Sequence, residues 1–178
     1  MTEAAASEAP AFSVVADVAI VKGETPAGDR TWLSFPDGTA RREAVHVIND
    51  LPHLVVESVF HLDDGRWSTL AAQRFRGLRL VTDDDLAAAG RAAGTAAKAA
   101  VDAVVNRWSD GPGTPSGVRS RLRKAGPQAR RLAESLTDEQ LRVADAGVRL
   151  LYREWAALPV GGTLRATWPL HDSWLRLL

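Results

Sequence analysis

The stretch Arg42 to Asp63, REAVHVINDLPHLVVESVFHLD, decides how this chain is read: it is the longest continuously patterned segment and carries three of the four histidines. At about 100° per residue, His46, Asp50, His53, Glu57 and His61 fall within an arc of about 80° on one helix face. The other side is apolar, with Val45, Ile48, Leu51, Val55, Val59 and Leu62. This pattern predicts a central, mostly buried helix with a polar row along one side. Pro52 interrupts the row, because proline lacks an N–H and disfavours helical geometry in the residue before it. The helix therefore either kinks there or two helices meet, in which case Asn49 or Asp50 is an N-cap and Pro52 stands in a first turn.

The row admits several kinds of chemistry. Imidazole nitrogens and carboxylate oxygens are ligands for a divalent metal such as zinc, manganese or iron, which makes His46, Asp50, His53 and Glu57 the candidate metal set. His46, His53 and Glu57 would leave a coordination position for a water that the metal activates. The same spacing serves a metal-free acid–base pair, with His53 tuned by Glu57. Against both stands the ordinary meaning of a polar stripe, a surface that faces water; the HExxH spacing of zinc proteases is also absent. A second polar line runs through Arg91, Thr95, Lys98, Asp102 and Asn106. If the two lines share a cleft, Lys98 or Arg91 holds an anionic substrate near His53, and the candidate catalytic residues are His53, Glu57 and Lys98. The plainer account of that line is an exposed Lys98–Asp102 pair one turn apart.

Working outward, residues 1–10 are small and acidic and predict a disordered tail. In FSVVADVAIV, Phe12, Val14, Ala16, Val18 and Ile20 alternate as a strand, and KGETPAGD turns the chain into a second strand over Thr31–Phe35. Beyond the central stretch, Trp67–Phe75 reads as a short helix, and Thr82 to about Trp108 as an alanine-rich one. Residues 109–117, SDGPGTPSG, form the best internal linker. Val118–Ala125 and Gln128–Leu136 read as short helices split by Gly126-Pro127. Thr137 to Gln140 has capping-box form and opens a helix with Leu141, Ala144, Val148, Leu151 and Trp155 inward. Thr163–Pro169 alternates again, a third strand to lie beside the N-terminal hairpin. The order predicts an α+β fold: a small antiparallel sheet, from an N-terminal hairpin plus a C-terminal strand, packed against four to six helices. Residues 11–170 form one domain, and 171–178 an amphipathic tail.

Composition narrows the function classes. The 178 residues contain no cysteine, which excludes thiolate metal sites and cysteine nucleophiles. Lys and Arg balance Asp and Glu at 22 each, which argues against bulk electrostatic binding of nucleic acid. The N-terminus lacks the layout of a secretory signal, and no apolar run approaches the ~20 residues of a membrane helix, so a cytoplasmic protein is expected. Arg119, Arg121, Arg123, Lys124, Arg130 and Arg131 are the one dense basic cluster; without interleaved aromatics they read as a solvated helix pair. Of the six tryptophans, Trp32, Trp108, Trp155 and Trp168 fall on core positions, with Trp67 and Trp174 less committed.

Asn49-Asp50-Leu51-Pro52-His53 resembles the His-Asp-x-x-His metal motif of ubiquinone-biosynthesis proteins. Asn49 stands where that family has histidine and its downstream glutamate is missing, so its function is not carried over. DLPHLVVESVF, DDGRW, AVVNRW and TWPL together resemble uncharacterised proteins of high-GC, actinomycete-type bacteria, a likeness that implies no activity. The functional expectation is a small hydrolytic enzyme, metal-dependent or acid–base, acting on a small or anionic substrate. Its rival is an adaptor or regulatory protein, or a homodimer, that meets a partner chain or nucleic acid through its locally basic surface.

Overall fold

Alternation at the N-terminus becomes a strand for the reason the pattern implies: one face has a core to meet. The structure, a computed structural model, describes residues 16–34, 40–43, 47–62, 65–68, 95–105 and 113–170. β1 (Ala16–Val21) buries Ala16, Val18 and Ile20 and leaves Asp17 exposed. A short 3-10 turn at Pro26–Gly28 reverses the chain into β2 (Arg30–Ser34), with the Gly23 N–H donating to the Asp29 carboxylate at 2.9 Å. A Cβ on Gly23 would lie 2.4 Å from the Gly28 carbonyl carbon, so the turn requires glycine there.

β3 (Ala40–Glu43) pairs with β2, and β4 (Thr163–Trp168) pairs with β1, giving a wholly antiparallel sheet of order β3-β2-β1-β4. The α+β expectation holds, including the C-terminal strand beside the hairpin. β3 is a departure: Arg42 and Glu43 had been read into the central helix. They continue the sheet because β2 offers unsatisfied backbone groups on its outer edge, which a neighbouring strand satisfies.

α1 (Val47–Phe60) runs unbroken through Pro52. Proline is its sixth residue, so only one carbonyl, that of Ile48, loses its helical partner. Leu51, Leu54, Val55, Val56, Ser58, Val59 and Phe60 are buried, and so are Asp50 and Glu57 on the supposed outer side. A helix buried all round lies at the centre of its domain. It closes at His61, whose φ of 53° is left-handed, with Leu62 N–H donating to Glu57 O at 2.9 Å.

The remaining described helices are α2 (Thr95–Val105), α3 (Pro115–Lys124), α4 (Pro127–Ser135) and α5 (Asp138–Ala157). α5 has the capping box expected of Thr137 and Gln140. α1 packs on α5 and α2, and one hydrophobic core runs from the inner face of the sheet through all five helices. Lys22 fastens sheet to helix: its ammonium donates to the carbonyls of Trp155 at 3.0 Å and Leu158 at 2.8 Å, capping the C-terminal end of α5. Trp155 and Trp168 are buried as expected, whereas Trp32 points off the outer face of the sheet and is 42% exposed. Trp67 is fully buried and stacks on Trp168 with ring centroids 6.4 Å apart. No helix among the described residues is long and apolar enough to cross a membrane. The 1–10 tail, the 171–178 tail, Trp108, Trp174, Arg91 and Asn106 lie outside the described residues.

Candidate functional site: a carboxylate-centred cluster on the central helix

Glu57 is the eleventh of the fourteen residues of α1 and has no solvent exposure. A carboxylate in that position is tolerated only if its oxygens are satisfied. The chain supplies donors by bending back after α1. Residues 66–68 have helical backbone, and their amides point at the carboxylate: Arg66 N–H donates to Oε1 at 2.6 Å, Trp67 N–H to Oε2 at 2.9 Å and Ser68 N–H to Oε2 at 3.4 Å. These are the donors a helical turn leaves without partners at its start, so Glu57 caps that turn from a distant helix. Gly65 makes the approach possible; a Cβ there would stand 2.0 Å from Glu57 Cδ.

His53, one turn earlier, places Nδ1 2.8 Å from Glu57 Oε1. A carboxylate already accepting from amides can only accept, so the imidazole donates through Nδ1–H and carries its lone pair on Nε2. The ring lies at the rim of the cluster, with its side chain 15% exposed.

Asp50 completes the row one turn further back. It is buried, and its Oδ2 lies 3.1 Å from Arg66 Nη2. Its backbone carbonyl accepts from Trp67 Nε1–H at 3.1 Å, so the residue after Arg66 is held by the same turn of α1. Asp50 is thus the ionic partner of Arg66, and because α1 runs unbroken through Pro52 the two-helix alternative, with Asn49 or Asp50 as an N-cap, does not apply. Tyr152 reaches the cluster from α5. Its hydroxyl is pushed up from 10.0 to about 12, first by burial and then by the negative charge of Asp50, so it stays a neutral donor across the physiological range.

The sequence-derived candidates divide accordingly. Asp50, His53 and Glu57 come together in one cluster; His46 lies outside the described residues. His61 is exposed at the end of α1. Lys98 stands on α2 in an exposed ion pair with Asp102 at 2.7 Å. Among the described residues no three His, Asp or Glu groups are arranged to hold a metal ion. The donor pattern accounts for this: the Glu57 oxygens are taken up by three amides and an imidazole, leaving little lone-pair capacity for a cation. The row faces a neighbouring segment and not water, so the plain surface-stripe reading fails for Asp50 and Glu57.

Sequence reasoning missed Arg66 and Tyr152. The one signal for Arg66 was its place directly after Gly65, in a turn tight enough to bring the next three amides toward α1. Tyr152 falls on the flank of an apolar helix face, and nothing in its local sequence marks it. Comparison with family models, with curated proteins and with solved structures found no match.

Proposed function

We propose that this chain is a small hydrolytic enzyme in which His53 transfers the proton and Glu57 positions it, without a metal ion. The observation that carries the reading is the 2.8 Å contact between His53 Nδ1 and a fully buried Glu57 carboxylate. Orientation by a buried carboxylate fixes one tautomer and leaves the outer nitrogen as the proton acceptor. In the proposed step Nε2 takes a proton from a water as its oxygen bonds to the carbon of an ester carbonyl. The same proton then passes to the departing alkoxide. Arg66 supports an anionic substrate: its guanidinium is partly exposed, and its backbone meets the imidazole on a single oxygen of Glu57.

The test uses untagged protein with a chelator present, assayed on chromogenic carboxylic and phosphate esters. Turnover should fall roughly 10²- to 10⁴-fold in His53→Gln, a change that removes one rim side chain and leaves the Glu57 amide contacts in place. Turnover equal in the two proteins, or none on either class of ester, overturns the proposal. Turnover that the chelator abolishes would return the site to metal chemistry.

A further inference from the structure

The hairpin of α3 and α4 carries six basic residues against a single acid, Glu134, in a chain whose net charge is zero. The structure divides the six sharply. Arg119 is committed: it donates to Ala133 O at 3.1 Å and Leu136 O at 2.8 Å, and pairs with Asp138 at 2.7 Å. Arg121 donates to Ala103 O at 2.9 Å, at the end of α2. Arg123, Lys124, Arg130 and Arg131 are exposed, and among the described residues none has an ion-pair partner. Lys98 with Asp102 and Arg142 with Glu139 show the alternative, and of the exposed arginines on α5 Arg153 stands alone where the corner gathers four cations.

These four cations, without an ion-pair partner among the described residues, bracket one corner. Arg123 and Lys124 end α3, Arg130 and Arg131 follow within the first turns of α4, and Gly126 at φ 133° makes the turn between them. At about 1.5 Å rise per residue, all four stand within roughly 8 Å of Gly126 along either helix axis. We infer that this corner is a docking surface for the phosphodiester backbone of a nucleic-acid duplex.

Charge complementarity selects the occupant. Like charges gathered this closely repel one another unless something anionic lies over them. Three of the four are arginine, whose planar fork matches phosphate oxygens. A folded protein partner would also present apolar anchors at the contact, and stable anchoring to a membrane takes a second, apolar signal beside the basic one. The exposed large hydrophobic side chains among the described residues are Trp32 and Val160, on β2 and beyond α5, and the corner has none. A phosphate polymer is the partner that charge alone can hold. The neutral net charge argues only against binding spread over the whole surface, and the inference does not depend on His53.

The experiment is fluorescence anisotropy of a labelled mixed-sequence duplex of about 20 base pairs, in DNA and RNA forms, over a salt series. Four phosphate contacts predict a slope of log K against log salt of about −3.6, or about a 100-fold loss between about 50 and 200 mM. Arg130→Gln with Arg131→Gln should halve the slope to about −1.8, and Lys in both places should restore it. Circular dichroism checks that both variants fold, as expected for exposed side chains with no ion-pair partner among the described residues. Failure of the duplex to bind at the lowest salt, an unchanged slope in the double Gln variant, or equal binding of polyglutamate or anionic vesicles overturns the inference.

Discussion

Glu57 on α1 and Arg130 on α4 are both charged residues on helices, and the protein treats them in opposite ways. The carboxylate is wholly buried and accepts from three backbone amides and an imidazole; the guanidinium is exposed and, among the described residues, has no ion-pair partner. Burial makes each unsatisfied polar group cost free energy, so the interior charge is tied to specific neighbours and helps fix where the chain goes. Exposure removes that demand, and the surface charges are left to meet something outside the molecule. The contrast predicts where substitutions hurt folding and where they alter only recognition.

The widest separation is expected at Glu57 itself. Glu57→Ala would strip the acceptor from the amides of Arg66, Trp67 and Ser68 and from His53 at once, inside a packed core. A loss of roughly 3–5 kcal/mol is expected, from the cost of orphaned buried donors and of a broken buried network. Urea denaturation checks it. A loss under about 1 kcal/mol would mean that water takes over the cap and that the carboxylate does not organise the fold.

Asp50 gives the second separation, in pH and not only in stability. The chain has a single tyrosine, so tyrosinate absorbance reports Tyr152 without ambiguity. Its folded value of about 12 lies above the ordinary 10.0, so the folded state holds its proton more tightly than the unfolded chain. The contribution to stability is therefore full below pH 10.0 and is lost as pH rises from there through about 12. Asp50→Asn removes the smaller of the two causes and should bring the midpoint partway down, with burial still holding it above 10.0. A midpoint that does not move would remove Asp50 from the surroundings of Tyr152.

Much of the fold was legible because it rests on local signals. The alternation in β1 and β4, the capping box of α5, and the Gly126-Pro127 break between α3 and α4 each follow from the residues that make them. β3 was hidden because Arg42 and Glu43 have no strand character of their own, and pairing with β2 decides their conformation. The site was half legible. Helical spacing brought Asp50, His53 and Glu57 to one face, but it could not say whether that face met water, a metal or another segment. The answer lay in residues 65–68, where a glycine lets three amides reach the carboxylate, and in Arg66 and Tyr152, which arrive from elsewhere in the chain.

The finest form of the contrast lies within α3, between two arginines one turn apart. Arg119 spans three elements, with bonds to the carbonyls of Ala133 and Leu136 and to the Asp138 carboxylate, and its side chain is 21% exposed. Arg119→Ala should cost about 1–2 kcal/mol, since two part-buried carbonyls lose a charged donor while the partly exposed ion pair adds little. Arg123→Ala, with an exposed side chain and no ion-pair partner among the described residues, should fall within about 0.5 kcal/mol of the parent. Duplex binding should rank the same two substitutions in reverse order, because Arg119 spends its donors on the fold and Arg123 keeps its own for a phosphate. Parallel losses in both measurements would mean that the hairpin's charges act together on folding, and the division between committed and available cations would disappear.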